Sequence, residues 1–310
     1  MDPQHEHRPP RIGVVLGAGV ARGWSHIGVL KALDRLGIKI HAVSGASSGA
    51  LVGASYATGR LGVLEDLAAG MTQRGMLRFL DVSLSRGGMI EGKWILDFMR
   101  DKIGDIRIEE ARLRFGAVAT AYGQGNEVWF TSGSIVDAVR ASIALPGLLT
   151  PVWLRGRWML DGAVSNPLPV ALCRALGAEV IIAVNTSGDA AREARAVVEL
   201  ATTEEDAPDV GSSWLNWLSG GKGREAALPK RPGSIDVLGD AIFSMQGFVT
   251  RVRLAADPPS IVLTPSLSEI GIMDFHKGSA AIAAGEAAVK AAESRLLALT
   301  HTPPGAPATE

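Results

Sequence analysis

The chain has 310 residues, of which 47% are hydrophobic and 20% charged, and its formal net charge is -1. With 37 glycines, this composition predicts a compact globular protein with many tight turns. A nearly neutral chain without a basic block is not expected to bind nucleic acid. The single cysteine, Cys173, excludes an internal disulfide and is expected to be a buried small hydrophobe.

Both ends of the chain are predicted to be loose tails, residues 1–10 and 301–310. The first is polar and proline-rich and does not resemble a signal peptide. The longest apolar runs fall well short of the roughly 20 residues that span a bilayer. We therefore expect a soluble cytoplasmic protein that at most contacts the inner membrane face peripherally. No metal and no cofactor are expected, since no cluster of ligands has suitable spacing.

Residues 11–300 are predicted to form one α/β domain, because short apolar runs typical of buried strands alternate with helical periodicity. The predicted strands cover residues 11–16, 38–43, 115–121, 127–131, 157–160, 179–184 and 261–264. One helix is predicted to end near residue 33. Seven others are predicted to cover residues 48–57, 61–69, 94–99, 135–144, 167–176, 234–254 and 277–299. Residues 185–232 lack sustained periodicity and are predicted to be an excursion over the surface.

The stretch Val43–Leu51 reads V-S-G-A-S-S-G-A-L and contains G-x-S-x-G between a predicted strand and a predicted helix. This pattern is typical of a nucleophile elbow, in which a sharp turn exposes the serine hydroxyl. Gly45 and Gly49 leave the room that such a turn needs, and the following helix directs its first amides towards Ser47. The alternative is a small-residue turn with no catalytic role.

A second glycine-rich turn, G-A-G-V-A-R-G at Gly17–Gly23, follows the first predicted strand. Its spacing is one residue longer than the dinucleotide fingerprint, and the next strand leads into the elbow instead of ending in an acid. Nucleotide binding is therefore disfavoured, and the turn is predicted to present backbone amides to an anion. Since parallel strands end at the same sheet edge, these amides should lie near Ser47.

The third motif is R-W-M-L-D-G-A-V-S-N-P-L-P at Arg157–Pro169, which places Asp161 at a strand end. A capping or turn aspartate is the alternative interpretation. No histidine follows a strand end in the Ser…Asp…His order of an α/β-hydrolase triad, and His26 and His276 are expected to have structural roles.

Together the three motifs resemble those of the patatin-like phospholipase family and, within it, the bacterial RssA-type subgroup. The flanking stretches S-H-I-G-V-L-K-A-L and R-A-S-I-A-L-P-G also resemble the family. The similarity runs from residue 11 to residue 299 and is thinnest over residues 185–232. It implies a three-layer α/β/α fold with a mostly parallel central sheet and a serine nucleophile elbow.

The resemblance also implies a Ser–Asp dyad, in which Ser47 attacks an acyl ester and Asp161 accepts its proton. It implies an oxyanion hole formed by the backbone amides of Gly17, Ala18, Gly19, Val20, Ala21 and Ser48. The implied supporting residues are Arg22, Gly23, Gly45, Gly49, Gly162 and Ala163, with Arg22 either organising the turn or supplying positive charge. In water an aspartate is a weak base, so desolvation must raise its pKa.

One position departs from the family. Many members have G-G-G-x-R-G where this chain has A-G-V-A-R-G, starting at Ala18. Because valine at positive φ is costly, Gly19 is expected to carry any left-handed conformation in the turn.

The implied function is that of a serine hydrolase that cleaves fatty-acyl esters of phospholipids or lysophospholipids through an acyl-enzyme. Two alternatives stay open: a regulatory or acyl-binding protein with negligible turnover, and a short-chain carboxylesterase. Assembly into a homo-oligomer is also left open. Four residues of the 185–232 excursion are candidates for a lid or for acyl contact, the alternative being a loop docked on its own core. They are Trp214, Leu215, Trp217 and Leu218.

Overall fold

A computed structural model describes residues 8–72, 91–188 and 234–300 of the chain, with the backbone alone for residues 234–240. The strands are β1 (Ile12–Leu16), β2 (Ile40–Ala46), β3 (Arg114–Ala121), β4 (Glu127–Phe130), β5 (Val152–Leu154), β6 (Arg157–Asp161), β7 (Val180–Val184) and β8 (Ile261–Leu263). The helices in these ranges are α1 (Ser25–Arg35), α2 (Ser48–Ala57), α3 (Leu61–Gly70), α4 (Lys93–Phe98), α5 (Ile135–Ser142), α6 (Val170–Ala175), α7 (Ser234–Ala256), α8 (Gly278–Ala291) and α9 (Glu293–Thr300).

The strands form one mixed sheet whose centre is parallel, which confirms the predicted fold class. The order β3-β2-β1-β7-β8 is parallel throughout, whereas β4 and β6 run antiparallel to β3 and β5 runs antiparallel to β6. No helix within the described ranges is both long enough and apolar enough to cross a bilayer.

Helices cover both faces of the sheet, because alternate residues of the buried strands point to opposite sides. Val14 and Val43 belong to the larger core, which also contains buried residues of α1, α2 and α8. Val15 and Ala42 belong to a smaller core on the other face, with Cys173 of α6. The expected burial of Cys173 is therefore confirmed.

The structure differs from the predicted elements in three places. Strand β5 was not expected, since it has only three residues; it pairs with β6 around Arg155 and Gly156, both at positive φ as in a type I′ turn. Helix α6 begins at Val170 instead of residue 167, because Pro169 disfavours helical geometry in the residue before it. The predicted helix over residues 277–299 is divided into α8 and α9 at Ala292.

Strand β3 brings the ends of β2 and β6 together. Ala119 pairs with both β4 and β6, and Ala117 pairs with both β2 and β4, so β2 and β6 must share the edge of β3 opposite β4. Along that edge β2 ends with Ala46 opposite Val118, and the antiparallel β6 ends with Asp161 opposite the adjacent Ala119. The residue after β2 is therefore placed directly beside Asp161.

Candidate active site

Ser47 lies in the sharp turn between β2 and α2, as the elbow motif predicts. Its backbone has φ 54° and ψ -125°, a conformation that non-glycine residues rarely adopt. The turn stops β2 from continuing along β3 and directs the hydroxyl towards the end of β6. The residue is nearly buried, with 7% of its surface exposed.

The hydroxyl of Ser47 donates a hydrogen bond of 2.6 Å to Oδ2 of Asp161. The other carboxylate oxygen, Oδ1, accepts a bond of 2.8 Å from the amide of Ala163. Asp161 thus caps the short 3-10 helix Gly162–Val164 and binds Ser47 at the same time. The capping interpretation and the functional one are compatible, because they use different oxygens of one carboxylate.

Burial sets the electrostatics of this carboxylate. Asp161 is fully buried, and the loss of hydration raises its pKa from 3.8 to about 7, against the smaller lowering effects of the bonds from Ser47 and Ala163. A carboxylate with a pKa near neutrality is a much better proton acceptor than an exposed one.

The supporting glycines are required because neighbouring backbone or side-chain atoms fill the space that a Cβ would take. A Cβ on Gly45 would lie 2.5 Å from the carbonyl carbon of Gly49. A Cβ on Gly49 would overlap the carbonyl of Leu16, and one on Gly23 would overlap the side chain of Ser48. Similarly, a Cβ on Gly162 would overlap the carbonyl oxygen of Val118. The elbow and the glycine-rich turn therefore pack closely against each other, and the Asp161 turn packs on the backbone of β3.

The glycine-rich turn supplies fewer donors than expected. The amides of Gly17, Ala18 and Ala21 donate to the carbonyls of Val184, Pro167 and Ile272, at 3.1, 2.9 and 3.1 Å. These three amides are not available to an oxyanion, which corrects the expected set. Of the six amides expected to form the oxyanion hole, those of Gly19, Val20 and Ser48 have no acceptor among the described residues.

The expectation that Gly19 carries the left-handed conformation is wrong. Gly19 has φ 177°, which is extended, and Val20 has φ 51°. Gly19 is needed for space instead, since a Cβ there would lie 2.5 Å from Oγ1 of Thr186. A left-handed valine costs about 1–2 kcal/mol, so the contacts on both sides of the turn must hold it in place.

Arg22 and His26 help to fix this turn. Nε of Arg22 donates to the carbonyl of Ile270 at 2.7 Å, and its guanidinium lies 5.2 Å from the centre of the Phe243 ring. These contacts favour the organising role for Arg22. Nε2 of the buried His26 donates to the carbonyl of Gly17 at 2.7 Å, and burial lowers the pKa of His26 to about 4. His26 is therefore neutral at pH 7, and its role is structural, as expected.

An apolar pocket of about 140 Å³ opens beside Ser47. Val20, Ser47 and Ser48 all line it, so two of the free amides belong to residues of the pocket wall. The remaining wall comes from α2, α3, α4 and two loops. Its apolar residues include Trp24, Leu51, Leu64, Leu67, Trp94, Ile95, Phe98, Ile143, Leu145, Leu148, Leu149, Met273 and Phe275.

Sequence reasoning missed two parts of this site. The pocket residues of α4, above all Trp94, Ile95 and Phe98, were recognised only as helical, although four large apolar residues among the six of this helix indicate that it faces an apolar partner. Ser142 was noted only within a flanking stretch, and it touches Ser47 directly. The proposed lid residues Trp214, Leu215, Trp217 and Leu218 lie outside the described residues, as does most of the 185–232 excursion.

Comparison with known proteins identifies the family. A family model described as "Patatin-like phospholipase" matches residues 14–174, just over half of the chain and a segment that contains Ser47 and Asp161. The chain belongs to the patatin-like phospholipase family. This match does not distinguish subgroups, so the RssA-type assignment stays a prediction, as does the extension of the domain to residue 300.

The names of two similar proteins are consistent with this family. An "uncharacterized NTE family protein" of Mycobacterium bovis is 41% identical over 207 residues, which cover 67% of this chain and 55% of the relative. "Lysophospholipase nte1" of Emericella nidulans is 34% identical over 189 residues, or 56% of this chain and 12% of the relative. This chain thus spans about half the length of the mycobacterial relatives that it matches.

Among solved structures, VipD from Legionella pneumophila aligns with 96% of this chain and 78% of its own, at 15% identity and a TM-score of 0.37. A score at this level supports no conclusion about this chain.

Proposed function

We propose that the protein is a serine hydrolase that cleaves fatty-acyl esters of phospholipids or lysophospholipids with a Ser47–Asp161 dyad. The observation that carries the proposal is the 2.6 Å hydrogen bond from the hydroxyl of Ser47, a residue that lines an apolar pocket, to a fully buried carboxylate. The name of the fungal relative, lysophospholipase, supports the same substrate class.

In the proposed reaction, Oγ of Ser47 attacks the acyl carbonyl carbon while its proton passes to Oδ2 of Asp161. The negative charge then develops on the former carbonyl oxygen, where the amides of Gly19, Val20 and Ser48 donate to it. Collapse of this intermediate breaks the ester bond, and the leaving alkoxide takes the proton from Asp161. Water then attacks the acyl-enzyme and gives its proton to the same carboxylate, which returns it to Ser47 as the fatty acid leaves.

Hydrolysis of p-nitrophenyl esters of increasing acyl length tests the proposal, using the wild type, Ser47→Ala and Asp161→Asn. We expect both variants to lose activity and the wild-type rate to rise with chain length, because longer chains fill more of the pocket. Asp97→Asn, an exposed carboxylate on α4, is the matched control and should keep the wild-type rate.

Labelling with a fluorophosphonate separates the alternatives. A wild type that is folded but neither labelled nor active would contradict the hydrolase and favour an acyl-binding protein. If both variants are inactive but the wild type is fastest with the acetate ester, the dyad is supported and a lipid substrate is contradicted. Cytoplasmic location, contact with a membrane surface and self-association stay predictions.

A further inference from the structure

Ser142, the last residue of α5, lies between the nucleophile and strand β3. Its hydroxyl accepts a bond of 2.9 Å from the backbone N–H of Ser47 and donates one of 2.6 Å to the carbonyl oxygen of Val118. The side chain is completely buried. A serine hydroxyl has one proton to donate, and here that proton and one lone pair are both used in fixed directions.

The bond from the amide of Ser47 to Ser142 pairs a group that the elbow would otherwise leave without an acceptor. Ladder pairing between β2 and β3 ends at Ala46 and Val118, and the next residue along that edge, Ala119, is paired with Asp161. The amide of Ser47 therefore has no strand to pair with where the chain turns away. A buried amide left unpaired costs about 1–3 kcal/mol, and Ser47 is also in a strained conformation. The hydroxyl of Ser142 replaces the missing ladder bond.

We propose that Ser142 is a positioning residue that holds Ser47 at bonding distance from Asp161. It ties the backbone of the nucleophile to Val118, and the neighbouring residue of the same strand, Ala119, pairs with Asp161. Both members of the dyad are thereby fixed to adjacent residues of β3. Ser142 does not line the pocket, so it acts through Ser47 and not on the substrate. This inference rests on the proposed function.

The test is the kinetics of Ser142→Ala with a long-chain p-nitrophenyl ester. Loss of the tether should lower kcat about 10–100-fold with KM little changed, since small misplacements of a reacting group have effects of this size. Labelling of Ser47 by a fluorophosphonate should slow by a similar factor. Because the bond from Ser47 lowers the pKa of Asp161, a misplaced Ser47 should also move the acidic limb of the pH–rate profile to higher pH. Ser142→Thr, which keeps the hydroxyl, should retain most of the rate.

Ser55→Ala is the matched control, because Ser55 is also fully buried and donates to a carbonyl, that of Leu51, at 2.9 Å. Ser142→Ala should lose more thermal stability than Ser55→Ala, because it leaves the amide of Ser47 unpaired, and it alone should lose activity. The inference is overturned if the two variants are equally active, if the pH profile does not move, or if a fully stable Ser142→Thr is as slow as Ser142→Ala. A folded wild type without turnover would instead refute the proposed function, and the inference would fall with it.

Discussion

Ser47 stands between two regions of the molecule that are built in different ways. On one side is the dyad edge, formed by Ser47, Asp161, Ser142 and the turns that pack against them, where each polar contact depends on one donor and one acceptor. On the other side is the apolar pocket, whose wall is formed by large side chains from several helices and loops. The dyad edge depends on the positions of single atoms, whereas the pocket depends on volume and on burial of apolar surface.

The two regions should therefore respond differently to substitution. In the proposed mechanism, a change of one methylene at the dyad edge moves a reacting atom and affects the rate of the chemical step. In the pocket the same change alters the fit of an acyl chain and affects the choice of substrate.

Among the substitutions that keep both reacting groups, the largest effect is expected from Asp161→Glu, which keeps the charge but lengthens the side chain in a fully buried position. Misplacement of the carboxylate should lower kcat about 100-fold or more. Steady-state kinetics on one ester measures the effect, with Phe98→Leu as a pocket variant for comparison. Equal losses in the two variants would show that the dyad edge is no more demanding than the pocket.

The next largest effect is expected in the dependence of the wild-type rate on pH. Only the ionised Asp161 can accept the proton of Ser47, and its pKa is about 7, so kcat/KM should fall below that pH and approach a tenfold loss per pH unit. Pocket variants should keep the same profile, since they leave the carboxylate buried. A wild-type rate that stays constant down to pH 5 would be incompatible with a base of raised pKa.

The pocket is tested by Phe98→Ala. Phe98 stacks on Trp94 with 5.4 Å between the ring centres, and both rings line the pocket. Loss of the ring should lower kcat/KM for a long-chain ester about tenfold and leave the acetate ester nearly unaffected, because only the long chain reaches α4. Rates on the two esters, each relative to wild type, give the comparison. A parallel loss on both would place Phe98 outside substrate selection.

Asp161→Asn should have opposite effects on activity and stability. Because folding raises the pKa of Asp161 from 3.8 to about 7, the buried carboxylate destabilises the fold progressively from about pH 4 to pH 7, and fully above that. The inactive variant should therefore melt several degrees above wild type at pH 8, with the difference vanishing near pH 4. Thermal unfolding at the two pH values measures this, and a variant less stable than wild type at pH 8 would contradict it.

The smallest effect concerns Val20, the residue that belongs to both regions. Val20→Gly relieves a left-handed valine and should stabilise the fold by up to about 1 kcal/mol, part of the gain being offset by the flexibility of glycine. Val20→Ala removes the same methyl groups from the pocket but keeps the unfavourable φ, so it should not be stabilised. Denaturant unfolding of the two variants separates strain from side-chain volume, and equal stabilities would mean that strain at residue 20 is negligible.

Much of the dyad edge could be predicted from the sequence because its parts are local motifs. Glycines 45 and 49 around Ser47 indicated a turn too tight for side chains, and the aspartate at the end of β6 was visible as a polar residue after an apolar run. The pocket could not be predicted in the same way, because Trp94 and Phe275 come from distant parts of the chain and nothing in either local pattern indicates the other.

The sequence by itself determined most of the order of strands and helices, the elbow, the glycine-rich turn and the identity of Ser47 and Asp161 as candidates, since each depends on short-range spacing. Only the tertiary structure decided which amides stay free, because their acceptors at Val184, Pro167 and Ile272 come from distant segments. It also decided that Val20, and not Gly19, takes the positive φ. Finally, it placed the hydroxyl of Ser142 against the amide of Ser47, because a hydroxyl finds its partners through the packing of α5 on β3 and not through any repeat in the chain.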